Sequence, residues 1–208
     1  MKKLISKLTS VQWLAVALML VGVMIMIPKA KGMLDFYKEV QYAAEHNFAS
    51  GNVSPDLLRP WMSLRYIAVA YAVPQLYLYD AAGIKPRPET SMLALNRLNQ
   101  QMGHGKANNQ PELIGTIKDA IVAYRANPVA TGLLERKVEE WMTVQYIANS
   151  TGIPADTILQ ALNLPLDGNA HKPLGFLSDE VDYPGGQKML IAAIQEIVEA
   201  QGAKPVLP

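Results

Sequence analysis

Residues 11–27 contain a single polar side chain, Gln12, and the predominantly apolar run over residues 8–27 is 20 residues long. As a helix rising 1.5 Å per residue it would reach about 30 Å, the thickness of a bilayer's hydrocarbon core. The pattern therefore predicts a transmembrane segment over residues 11–28, preceded by a short basic N-terminus (residues 1–10). Beyond it, Leu34, Tyr37, Val40, Gln41, Ala44 and Phe48 recur at helical spacing with Lys38, Glu39 and Glu45 elsewhere, which predicts a juxtamembrane helix within residues 29–54. Ser50, Gly51 and Asn52 should end it. Ser54-Pro55-Asp56 reads as an N-cap followed by proline at the first helical position.

The rest of the chain repeats itself. At an offset of 80, Trp61-Met62-Ser63-Leu64-Arg65-Tyr66-Ile67-Ala68 aligns with Trp141-Met142-Thr143-Val144-Gln145-Tyr146-Ile147-Ala148, five of eight residues being identical. Two of the three tryptophans fall in this one match. Further on, Ile114, Ile117 and Ile121 match Ile191, Ile194 and Val198 at an offset of 77, so each unit should close on an amphipathic helix stopped by Pro128 or Pro205. The expected units are residues 55–131 and 132–208, joined through Val129, Ala130, Thr131 and Gly132. Within them, residues 85–111 and 165–186 are rich in Pro, Gly and Asn and read as connections. No stretch alternates convincingly, so an all-α fold is expected: one N-terminal transmembrane helix, then a duplicated helical region.

Residues 143–162 resemble the helix-turn-helix motif. Ala148 is the small residue that lets two helices approach, Gly152 makes the turn, and Ile158 fills the core. Thr143 can cap the first helix, Pro154 suits the start of the second, and Ile147, Ile153, Ile158 and Leu162 would form a small core. The first copy departs from the pattern: Ala72 stands for Gly152, and Tyr71, Tyr77 and Tyr79 stand for Thr151, Thr157 and Leu159. That predicts a distorted turn or a specialised surface. The resemblance implies major-groove DNA recognition, which requires cations against phosphates. Residues 143–164 have no Lys or Arg, and residues 63–84 have only Arg65. The motif is better read as a helical scaffold.

Charge sharpens the division. The whole chain carries +1, but residues 1–33 hold five lysines and no acid, which leaves 14 basic against 18 acidic residues, or −4, in the remainder. Lys2, Lys3 and Lys7 precede the apolar run while Lys29 and Lys31 follow it, so the N-terminus should stay in the cytoplasm and the bulk be exported to the periplasm of a bacterial inner membrane. A cleaved signal peptide shares the charged start and apolar run, yet the length of the run favours a retained signal-anchor. With no cysteine, the chain has neither disulfides nor thiolate metal sites nor a cysteine nucleophile.

Candidate chemistry is sparse. His46, His104 and His171 lie in unrelated segments without ligand spacing. Asp167-Gly168-Asn169 lacks the spaced acids of a calcium loop, and Gly103-His104-Gly105-Lys106 lacks the remaining positions of a phosphate loop. Ser178-Asp179-Glu180-Val181-Asp182 reads as a helix cap with a solvated acidic patch. No catalytic residue, cofactor or metal site is expected.

Aromatic residues are the candidates for partner contact. Trp13, Phe36 and Tyr37 flank the apolar run, as suits rings that favour the headgroup zone. Trp61 and Trp141 open the two motifs and serve either as core or as repeated anchors against a partner. Tyr66, Tyr71, Tyr77, Tyr79 and Tyr146 complete the set, the tyrosines of the first copy being hard to bury together because each hydroxyl wants a partner. The whole chain resembles single-span accessory subunits of bacterial membrane energy complexes. That implies a non-catalytic subunit partnered by integral-membrane proteins and the bilayer, for example in a photosynthetic reaction-centre and light-harvesting assembly or a respiratory complex. The alternative is an anchored envelope adaptor for a soluble protein, peptide or wall ligand.

Overall fold

In a computed structural model of the chain, residues 41–42, 45–48, 53–202 and 206 are described. The chain separates into two units, residues 1–46 and 47–208. In the first, Gln41, Tyr42 and Glu45 are helical. The Tyr42 and His46 rings lie 4.2 Å apart and His46 Nδ1 is 2.9 Å from the Tyr42 carbonyl oxygen. The predicted span lies outside the described residues, as do Trp13, Phe36 and Tyr37. Among the described residues no helix is long and apolar enough to cross a membrane.

The second unit is mostly helical, and one order of elements occurs in it twice. Ser54 caps a 3-10 turn at Pro55–Leu57. Then Ser63, in extended conformation, accepts the Tyr66 N–H (3.2 Å) and starts α1, Leu64–Ala70. Thr143 does the same for Tyr146 (3.1 Å) at the start of α6, Val144–Thr151. A hydroxyl here satisfies a donor that the first helical turn leaves open. Ala72 (φ 52°) and Gly152 (φ 85°) both turn the chain through the left-handed region. The first turn is therefore not distorted by its alanine; it takes up the strain of a Cβ in that region instead. Pro74 and Pro154 then lead into α2, Gln75–Ala81, and α7, Ala155–Ala161.

The two connections expected as loops contain helices. Residues 85–111 hold α3, Pro88–Met92, and α4, Leu95–Gln101, and residues 165–186 hold α8, Leu174–Glu180. Each is too short to carry a periodic pattern through its Pro-, Gly- and Asn-rich surroundings, and the starts of α4 and α8 are fixed by the motif before them. Ser63 bridges Ala94 and Thr143 bridges Pro173, while Leu95 N–H donates to Met62 O and Leu174 N–H to Met142 O, both at 2.8 Å. Ser178 is no N-cap: it is buried inside α8, with Asp179, Glu180 and Asp182 exposed beside it.

Each series closes on a 15-residue helix, α5 (Glu112–Ala126) and α9 (Gly186–Ala200). Leu113, Ile117 and Ile121 of the first and Leu190, Ile194 and Val198 of the second are buried at equal spacing. With Met62, Leu64, Ile67, Leu78, Leu95 and Leu98, and with Met142, Val144, Ile147, Ile158, Leu174 and Leu177, they form the interior. Each such side chain contributes about 1.5–3 kcal/mol on burial. The long helices also hold the segments that precede the motifs. Lys118 of α5 pairs with Asp56, and Gln195 of α9, 77 residues later, accepts the Val138 N–H at 2.7 Å.

Strand content was not expected; apart from the two single bridges, among the described residues it consists of β1, Lys106–Ala107, and β2, Gln110–Pro111, a two-residue hairpin turned by Asn108 (φ 51°) and Asn109 (φ 63°). Positive φ at both central residues is what a type I′ turn requires, and asparagine tolerates it.

Candidate functional site: a polar seam between the two helical series

The first series (the 3-10 turn at Pro55–Leu57 to α5) and the second (α6 to α9) meet along a seam whose polar residues come from α1, α2, α3, α6 and the segment before α6. Glu135, fully buried, is its centre. The Tyr79 hydroxyl of α2 donates to Glu135 Oε1 at 3.2 Å and itself receives Gln75 Nε2 at 3.1 Å. Thr90 of α3 stands 3.4 Å from the same hydroxyl. On the other side, Tyr146 of α6 faces Ser150 and the backbone of Gln75. Burial raises the Glu135 carboxyl above the ordinary glutamate range, pushes the Tyr79 hydroxyl up to about 12 and raises that of Tyr146 as well.

Next to this cluster, three charged groups and an indole cross the seam. The Arg65 guanidinium of α1 stands 4.9 Å from the centre of the Trp141 ring. It shares Glu139 with Arg136, at 3.9 and 3.3 Å, and the Trp141 indole N–H donates to the same carboxylate. Burial lowers the Arg65 pKa, with Glu139 opposing the shift. A second tie is the Asn149 amide of α6, which donates to the Ala72 carbonyl at 2.6 Å.

Two adjoining hollows of about 260 and 250 Å³ open at the seam and share Tyr124, Pro128, Gln145 and Asn149. Tyr71, Arg125 and His171 line the first, Ile153 and Pro154 the second. Arg125 is held by the Val53 carbonyl at 2.7 Å and lies 5.6 Å over the Tyr71 ring. Burial lowers the His171 pKa, which favours its neutral form.

The interface candidates separate by burial. Trp61 and Trp141 are half-buried, their rings 5.3 Å from Tyr66 and 5.8 Å from Tyr146. Tyr66 and Tyr77 are also half-buried, Tyr77 lying 5.2 Å from Tyr124. Tyr71, Tyr79 and Tyr146 are interior, which corrects their expected surface placement. Their hydroxyls find partners inside the fold, Tyr71 on the Ser54 carbonyl at 3.2 Å and Tyr79 on Glu135. Sequence reasoning passed over Glu135, Arg65, Gln75 and Asn149. Glu135 stands in the charge-dense stretch Glu135-Arg136-Lys137-Val138-Glu139-Glu140, which looks like solvated linker.

His46 contacts its own helix turn, His104 stands 3.9 Å from Glu112 and His171 lines a hollow. No group of three His, Cys, Asp or Glu side chains converges as a metal site among the described residues. No protein family, curated protein or solved structure matches the chain.

Proposed function

We propose that this chain is a non-catalytic accessory subunit, anchored in a bacterial inner membrane by residues 11–28, whose helical body contacts the extramembrane parts of integral-membrane partners in the periplasm. One observation carries the reading: a lysine-flanked apolar run of bilayer length is joined to two helical units. Supporting it, each unit opens on a tryptophan, Trp61 or Trp141, that is half-buried rather than fully enclosed. Large amphipathic rings of this kind are the usual anchors of protein interfaces. The span itself is rich in Met, Val, Leu and Ala with Gly22, a composition suited to packing against other helices. A photosynthetic reaction-centre and light-harvesting assembly is the specific complex proposed, with a respiratory complex as the other host.

The test compares the full chain with one lacking residues 1–33, both tagged. The full chain should fractionate with membranes and bring integral-membrane proteins with it in mild detergent, whereas the truncated chain should do neither. Equal recovery of both in the soluble fraction would refute the anchor.

The paired hollows beside Tyr124 and Gln145 favour a second reading, an envelope adaptor that takes a soluble peptide or wall ligand. Alanine substitution of Gln145 should then abolish ligand capture and leave membrane fractionation unchanged.

A further inference from the structure

Glu135 sits where the two helical series meet and is fully buried. Its two carboxyl oxygens face a shortage of donors. Oε1 has the Tyr79 hydroxyl at 3.2 Å, and Oε2 has no hydrogen-bond partner among the described residues. Gln75 Oε1, belonging to the other residue bonded to Tyr79, is also without one. The Thr90 hydroxyl has the Arg87 carbonyl at 2.8 Å and the Tyr79 hydroxyl at 3.4 Å as its acceptors, so it brings no donor to Glu135.

The charges that face Glu135 do not relieve this. Arg65 comes from α1, Arg136 and Glu139 from the segment of Glu135 itself, Tyr79 from α2 and Tyr146 from α6. Both guanidiniums turn to Glu139, and among the described residues neither forms an ion pair with Glu135. An ionised carboxylate in this position would be enclosed with one hydrogen bond for two oxygens, an arrangement that proteins avoid by keeping the acid neutral.

We propose that Glu135 carries a proton in the folded protein and that losing it loosens the seam, so the helical body tightens in acid and relaxes as pH rises. The seam is the element that responds because Glu135 holds α2 through Tyr79 while Tyr146 and Ser150 of α6 pack behind it. The raised carboxyl agrees in sign. A group that binds its proton more tightly folded than unfolded stabilises fully below the unfolded pKa, 4.5 here, and that stabilisation disappears as pH rises through the folded value.

The experiment is urea unfolding of the full chain and of Glu135→Gln, in detergent micelles, across a pH series. Relative to Glu135→Gln, the wild-type folding constant should fall about tenfold per pH unit between the two Glu135 pKa values, since one proton is released. At alkaline pH the variant should also protect the amides of α2 and α6 better than wild type does. Parallel pH curves, or equal protection, would overturn the proposal. Should Glu135→Gln fail to fold, infrared difference spectra of the wild-type chain decide: a protonated carboxyl band persisting above the ordinary glutamate range supports the proposal, and carboxylate bands alone overturn it.

Discussion

The Arg65 guanidinium lies 4.9 Å from the centre of the Trp141 ring and 3.9 Å from Glu139, so a side chain of the first helical series is received by an indole and a carboxylate of the segment that leads into the second. Attraction of a cation to an indole face is worth about 0.5–1 kcal/mol at exposed sites and more where water is excluded. A double-mutant cycle of Arg65→Ala and Trp141→Ala in the full chain should therefore show coupling of about 1 kcal/mol by urea unfolding. Arg65→Lys should recover only part of it, because an ammonium does not stack as a planar guanidinium does.

The turns of the two motifs predict unequal responses to exchanging alanine and glycine. Ala72 holds φ 52° and Gly152 φ 85°, and a Cβ at Gly152 would stand 3.4 Å from that of Ala130. Gly152→Ala should destabilise by about 1–2 kcal/mol, the cost of a left-handed L-residue. Ala72→Gly removes that same strain, offset by about 0.4–1 kcal/mol of unfolded-chain entropy, and should be neutral or slightly stabilising. Thermal midpoints of the two variants check the pair.

Asn99 is buried and makes three bonds that assemble the end of the first series. Its amide donates to the His104 and Gly105 carbonyls at 3.0 and 2.9 Å, and its Oδ1 accepts the Leu113 N–H at 3.0 Å, capping α5 from a distance. Asn99→Ala leaves a buried backbone donor without its acceptor and should cost about 1–3 kcal/mol. Amide exchange at Leu113 should rise more than exchange in α9.

His171 supplies an acid-side dependence of opposite sign to that of Glu135. Burial depresses its folded pKa below the ordinary 6.5, so its stabilising contribution is complete above 6.5 and declines as pH falls through the folded value. Replacing it with Gln should flatten the thermal midpoint in that window. An unchanged acid slope in His171→Gln would contradict the assignment.

Long periodic elements were legible in the sequence, and short or buried polar ones were not. The spacing of Ile117 and Ile121 and of Ile194 and Val198 announced α5 and α9, and Ser63 and Thr143 stand where capping hydroxyls belong. By contrast α4 and α8 each bury one apolar pair, Leu95 with Leu98 and Leu174 with Leu177, which leaves too little pattern to see. Ala72 misled in the other direction: an alanine gives no sign of left-handed backbone, yet tertiary packing holds it there. The seam was hidden for a different reason. Glu135 is charged in sequence and surrounded by Arg136, Lys137 and Glu139, so only its three-dimensional pairing with Tyr79, 56 residues away, reveals a buried acid. The same long-range pairing removed Tyr71, Tyr79 and Tyr146 from the surface that their composition suggested.

The proposal that this chain serves within a larger membrane assembly is tested most directly by native mass measurement of the tagged full chain released from its membranes in mild detergent. The particle should contain the 22.8 kDa chain bound in fixed proportion to integral-membrane subunits. A particle consisting of the chain alone in its micelle would contradict the proposal.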